Sequence, residues 1–160
     1  MNQLRELLKD LELFIKGSHF YRGVRLSVAV VTPLVVLWFF DYFEYAPAIV
    51  MGAFLNAPGD IPGSLKRKVN AILISTGLTM LITAIILFCR PYLPLVLVAL
   101  GVISFFVSFI SVYGFRASMV SFSGLMAMVL AFAVQKETSL EILSHVLLIG
   151  CGGLWYLLVS

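Results

Sequence analysis

The sequence predicts an all-α, polytopic six-helix transmembrane bundle with an N-terminal cytoplasmic amphipathic helix. Three observations predict it. Six uncharged apolar runs occupy residues 26–40, 45–59, 69–89, 91–115, 117–135 and 142–160. Hydrophobic residues make up 61% of the chain and charged residues 12%, against about 45–50% and about 25% in soluble domains. Mean hydropathy is +1.06. A soluble chain of this length leaves too much surface exposed to bury so many apolar side chains. Long continuous runs also favour helices over a barrel, whose strands alternate in segments of about ten residues.

Residues 1–20 form a segment of their own. Leu4, Leu7, Leu8, Leu11, Phe14 and Ile15 recur at helical spacing, and Arg5, Glu6, Lys9, Asp10, Glu12 and Lys16 take much of the remaining surface. This pattern predicts an amphipathic helix lying on a membrane or against a partner. Gly17-Ser18 offers the break before the transmembrane domain, residues 21–160. The first two apolar runs are shorter than the about 20 residues a crossing needs and extend into polar flanks.

The second run is irregular. Pro47 opens it, Gly52 and Asn56 interrupt it, and Pro58-Gly59 closes it. Asp60, Pro62, Gly63, Ser64 and the basic Lys66-Arg67-Lys68 follow. Proline and glycine disfavour a helix interior by about 3 and about 1 kcal/mol, so helix is expected to break over 56–64. Two readings stand: a break at membrane depth that marks a transport path, or an interfacial turn into the third helix. Asp60 or Ser64 is placed to cap that helix.

The third to sixth runs are each long enough, or nearly so, to cross. A Tyr113-Gly114-Phe115-Arg116 turn separates the fourth from the fifth. Serines 104, 108 and 111, serines 118, 121 and 123, and Gly150 with Gly152-Gly153 form clusters of small residues suited to close helix packing; a polar-lined path is the second reading. Cys89 and Cys151 lack metal or redox spacing and read as reduced packing residues. His145, one turn into the last helix, reads as an interfacial histidine bonded to a carbonyl or as a proton relay. The last run ends at Ser160 without a polar tail, as expected of a domain from a longer protein.

The positive-inside rule orients the chain. With a cytoplasmic N-terminus, nine of the eleven Lys and Arg residues fall inside, leaving Arg90 and Lys136 outside. Both termini are then cytoplasmic. Trp38, Phe39, Phe40, Tyr42, Phe43 and Tyr45 form an aromatic belt at the outer end beside acidic Asp41 and Glu44.

The net charge of +3, carried in short loops, excludes a soluble nucleic-acid binder. No paired intramembrane carboxylate, HExxH, GxSxG or phosphate-binding loop is present, so neither an enzyme nor a cofactor is expected. The basic entrance has the chemistry to bind an organic anion. Arg25, Lys66, Arg67, Lys68 and Arg116 supply positive charge, while Asn56 and Asp60 mark the broken helix; aromatic side chains such as Phe54 suit a ring. Each cation has an alternative reading, as a topology determinant or lipid-headgroup contact.

The layout, the stretch 47–70 and the Tyr-Gly-x-Arg turn resemble the N-terminal transmembrane domain of the fusaric acid resistance (FUSC) family. That family belongs to the aromatic acid exporter superfamily, which also holds the plant aluminium-activated malate channels. The resemblance covers roughly residues 22–160. It implies export of aromatic or other organic acids across the bacterial inner membrane, driven by the proton gradient. It also implies a soluble cytoplasmic domain and often a second membrane domain in the whole protein. The expected partners are the bilayer, a small organic anion, and a second copy or second transmembrane domain. An organic-anion channel and a non-transporting scaffold or oligomerisation domain are the alternatives.

Overall fold

The structure, a computed structural model, describes residues 18–60, 65–134 and 138–160. The expected amphipathic helix up to residue 17, together with Pro62, Gly63, Ser64 and Lys136, lies outside them. The described residues are all-helical. They form α1 (Ser18–Phe39), α2 (Ala46–Asn56), α3 (Leu65–Cys89), α4 (Leu93–Ile110), α5 (Phe115–Ala133) and α6 (Ser139–Val159), with short 3-10 turns at Phe43–Tyr45, Ala57–Gly59 and Ser111–Tyr113. Five of the six are long and apolar enough to cross a membrane.

α2 is the exception. Its 11 residues span about 16 Å at about 1.5 Å per residue, roughly half of a hydrocarbon core of about 30 Å. Pro58 and Gly59 end it in a 3-10 turn, and Asp60 leaves helical geometry at φ −76°, ψ 75°. Helix therefore stops where the Pro/Gly pattern predicts.

This short helix is the centre of the bundle. It packs on α6 above all, and also on α1, α3 and α5. Small residues set that closeness. A Cβ on Gly52 would strike the Ile149 carbonyl of α6, and one on Gly152 would strike the Ile49 carbonyl of α2. The two backbones thus touch through reciprocal glycines. Gly150 and Gly153 face Met80 and Thr76 of α3. The glycines of α6 are consequently used up inside the protomer.

Around this centre, α3 packs on α6 and α5, and α4 leans on α5 and α3 from outside. Three apolar clusters fill the interior: Ala29, Ala53, Ile72 and Tyr156; Ile82, Ile86, Val107 and Ala131; Leu87, Ile142 and Val146. α3 adds a buried row of hydroxyls, Ser75, Thr76, Thr79 and Thr83. Thr76 and Thr79 donate to main-chain carbonyls of their own helix at 2.8 and 2.9 Å, which satisfies them without water. In α4 Ser104 likewise donates to Leu100, whereas in α5 Ser121 donates across to the Val107 carbonyl at 2.6 Å and ties α5 to α4. Cys151 is exposed, so it lies on the outer surface of the bundle and does not pack inside as expected.

One end of the bundle carries the aromatic belt. Trp38, Phe39, Phe40, Tyr42, Phe43, Tyr45 and Tyr92 are all exposed there. Asp41 takes the left-handed conformation, φ 65°, to turn the chain out of α1; Asp tolerates this better than a β-branched residue. At the same end Arg90 donates to the Val134 carbonyl that closes α5, a cation at a helix C-terminus.

Candidate functional site

At the opposite, basic end, the break after α2 delivers Asp60 into a ring of cations. Asp60 is only 4% exposed. Lys68, one turn into α3, places Nζ 3.0 Å from Oδ1, and Arg25 of α1 places Nη1 3.8 Å from Oδ2. Ser160, just past α6, and Tyr156 of α6 donate hydroxyls to Oδ2 at 2.9 and 3.3 Å. Arg22 donates to the Asp60 main-chain carbonyl, a cation capping the negative end of the broken helix. Lys68 also donates to the Ser160 main-chain oxygen at 2.6 Å. Residues from α1, α3 and α6 therefore meet on one carboxylate, which fixes their ends at the same side of the bundle.

The electrostatics follow. Burial alone raises the Asp60 carboxyl. The Lys68 and Ser160 hydrogen bonds and the Lys68 and Arg25 charges outweigh it and hold the group below its usual 3.8. Asp60 is thus ionised, as a buried carboxylate with several donors must be. Arg25 and Lys68 face the carboxylate and Arg22 the main-chain carbonyl beside it, so three cations gather around one carboxylate and the node keeps a surplus of two positive charges.

The other expected site residues divide. Asn56 is fully buried. It donates to the Gly52 carbonyl at 2.8 Å and accepts from Thr76 at 3.1 Å, which ties the end of α2 to α3. Lys66 and Arg67 are exposed beside the node without joining it. Arg116 opens α5 half-buried, after Gly114 turns the chain at φ 106°. Asp60 binds the side chain of Lys68 within α3. Arg22, Tyr156 and Ser160 were not legible as partners, because they reach Asp60 across 38, 96 and 100 residues.

Beside the node a groove runs between α1 and α5. Its polar end, about 270 Å³, is lined by Arg22, Gly23, Phe115, Met119 and Tyr156. A second lobe of about 260 Å³ continues past Phe54, Phe122, Ser123 and Met126 and is almost wholly apolar. Leu26, Ala57 and Pro58 line both lobes, so the α2 break forms their common wall. At the far end of the bundle Glu44, Glu141, Ser144 and the buried His145 line a separate cavity of about 280 Å³. Among the described residues, no three His, Cys, Asp or Glu side chains gather to hold a metal.

No curated protein and no solved structure matches the chain. A family model does, described as FUSC-like inner membrane protein yccS, over residues 71–160. That range holds most of α3 and all of α4 to α6, the frame against which the broken α2 packs. The stretch 47–70 precedes the matched range, whereas the Tyr113-Gly114-Phe115-Arg116 turn lies within it. Five apolar spans around a half-length helix, and a family match over more than half of the chain, make this a multi-pass membrane protein that belongs to the FUSC-like inner membrane family.

Proposed function

We propose that this domain transports organic anions, with the Asp60 node as the carboxylate-recognition site and the adjoining groove as the seat of the apolar part. The surplus of positive charge at the broken helix carries this reading. An anion arriving at Arg22, Arg25 and Lys68 meets charge-assisted donors that one internal carboxylate does not neutralise. Family membership supports a transport-related role; export of aromatic or other organic acids, and a cytoplasmic position for the basic end, are the finer parts of the proposal. Lys66 and Arg67, being exposed, would act by steering, which salt screens. Arg116, half-buried at the start of α5, is proposed to contribute from beside Phe115 of the groove.

The test is efflux of benzoate from cells and from vesicles holding the full-length protein. Arg25→Gln and Lys68→Gln are expected to reduce efflux by about tenfold or more, the factor that about 1.4 kcal/mol produces. Arg67→Gln is expected to change it little at physiological salt. Unchanged efflux in the Arg25→Gln/Lys68→Gln double variant, with insertion intact, would remove the node from transport. Currents that reverse at the anion's own equilibrium potential, without proton movement, would assign a channel and not a coupled exporter.

A further inference from the structure

The α1–α5 groove has one property a water-filled vestibule does not need: it opens sideways. α1 packs chiefly on α2 and α6 and makes little contact with α5. Phe115, Phe122 and Phe54 along the opening are 68%, 48% and 50% exposed. Side chains so exposed on apolar helices face lipid. The groove is also graded along its length. Arg22 marks the polar end, four residues after the start of α1, while the second lobe has almost no polar surface. Charge at the edge and an apolar slot toward the bilayer interior match the way a single-chain acid sits in a leaflet.

Size narrows the occupant. Each lobe, at about 270 and about 260 Å³, falls just below the about 300 Å³ of typical small-molecule sites. The two lobes share Leu26, Ala57 and Pro58 as lining, so a single chain reaching from one to the other would run along these residues. We infer that the α1–α5 groove takes a single-chain carboxylic acid laterally from the surrounding leaflet, with its carboxylate at Arg22 and Arg25 and its chain along Leu26, Phe122 and Met126. This rests on the Asp60 node being the anion site, and it adds the ligand class and the route. A chain moving from lipid into such a slot exchanges one apolar medium for another, so the cationic end supplies the selectivity.

Gly23 provides the test. It lines the polar lobe, and a Cβ there would meet nothing within 4 Å, so Gly23→Phe fills the groove without disturbing packing. Gly77 of α3 is equally open and lies away from the groove, so Gly77→Phe is the matched control. The full-length protein in nanodiscs is photolabelled with palmitate bearing a diazirine near its methyl end. The expected result is labelling on α1 and α5, suppressed about tenfold by excess palmitate, lost in Gly23→Phe and kept in Gly77→Phe. Thermal unfolding of the two variants reports that both are folded. Labelling that Gly23→Phe leaves intact, or that dipalmitoyl phosphatidylglycerol suppresses as well as palmitate does, overturns the inference. Benzoate efflux from the same preparations separates the two proposals. Efflux lost in Arg25→Gln with no palmitate labelling leaves the transport reading standing and this inference refuted. Specific labelling without any efflux does the reverse.

Discussion

Asp60 sits beneath three cations, and that decides both its charge and its pH behaviour. Its carboxyl titrates below the ordinary 3.8 in the folded chain. The stabilisation from its ionised form is therefore complete above about 3.8 and disappears only as pH falls through the lower folded value. Between about pH 5 and 8 Asp60 neither takes up nor releases a proton, so any proton coupling in that range uses another group. Replacing it by Asn strips the common partner from cations that are partly out of water. The expected loss is about 3 kcal/mol, the lower part of the range for a broken buried pair, since Arg25 remains 43% exposed. Thermal unfolding of Asp60→Asn in detergent checks both points. Its deficit against the parent is expected to be the same at about pH 5 and about pH 8, and a deficit that shrinks toward the acid side contradicts the assignment.

At the scale of elements, the bundle is held by how closely α2 approaches α6. Gly152→Ala places a methyl on the Ile49 carbonyl. No flexible side chain can yield there, so a main chain must move, at about 1–3 kcal/mol or more. Gly101 of α4 meets nothing within 4 Å. Gly101→Ala should be neutral or stabilising by up to about 1 kcal/mol through helix propensity alone. Opposite signs in unfolding temperature are the expected result, and equal effects would remove the glycine contact from the account. These contrasts also show what the sequence makes legible. The apolar runs mark α3 to α6 because a span must be long, and Pro58-Gly59 marks the end of α2 because neither residue suits a helix interior. The small residues of α6 do signal close packing, but periodicity does not reveal whether the partner is another helix of the same chain. Likewise Ser75, Thr76, Thr79 and Thr83 share helical spacing, a signal open to a sequence reader. The meeting of Arg22, Tyr156 and Ser160 on Asp60 has no local signature at all.

For the whole molecule, the Asp60 node ties the start of α1, the start of α3 and the end of α6 to one side, and the aromatic belt lies at the other. Phe43→Cys and Lys66→Cys are therefore expected to react with impermeant reagents from opposite faces of the membrane, with Lys66 on the cytoplasmic face by the charge bias; labelling from the same face contradicts the arrangement. The flanks raise the question of assembly. α4 buries only Val96 and Val107 among its residues, and its Gly101 faces open space. Exposed apolar side chains alone do not drive association in lipid, because the tails are as apolar as leucine. An uncovered glycine differs, since it lets another helix backbone approach and gain close packing. The glycines of α6 are already occupied by α2 and α3, and α4 combines an open glycine with only two buried residues, so α4 is a surface on which a second copy or a second transmembrane block is expected to pack. In nanodiscs, the chain should form dimers or larger species whose cross-links map to α4. Gly101→Leu should weaken them by about tenfold, equal to about 1.4 kcal/mol, while leaving the Asp60 node intact and not lowering the unfolding temperature of the protomer. A chain that stays monomeric across protein-to-lipid ratios, or an oligomer indifferent to Gly101→Leu, would mean that lipid alone covers this face.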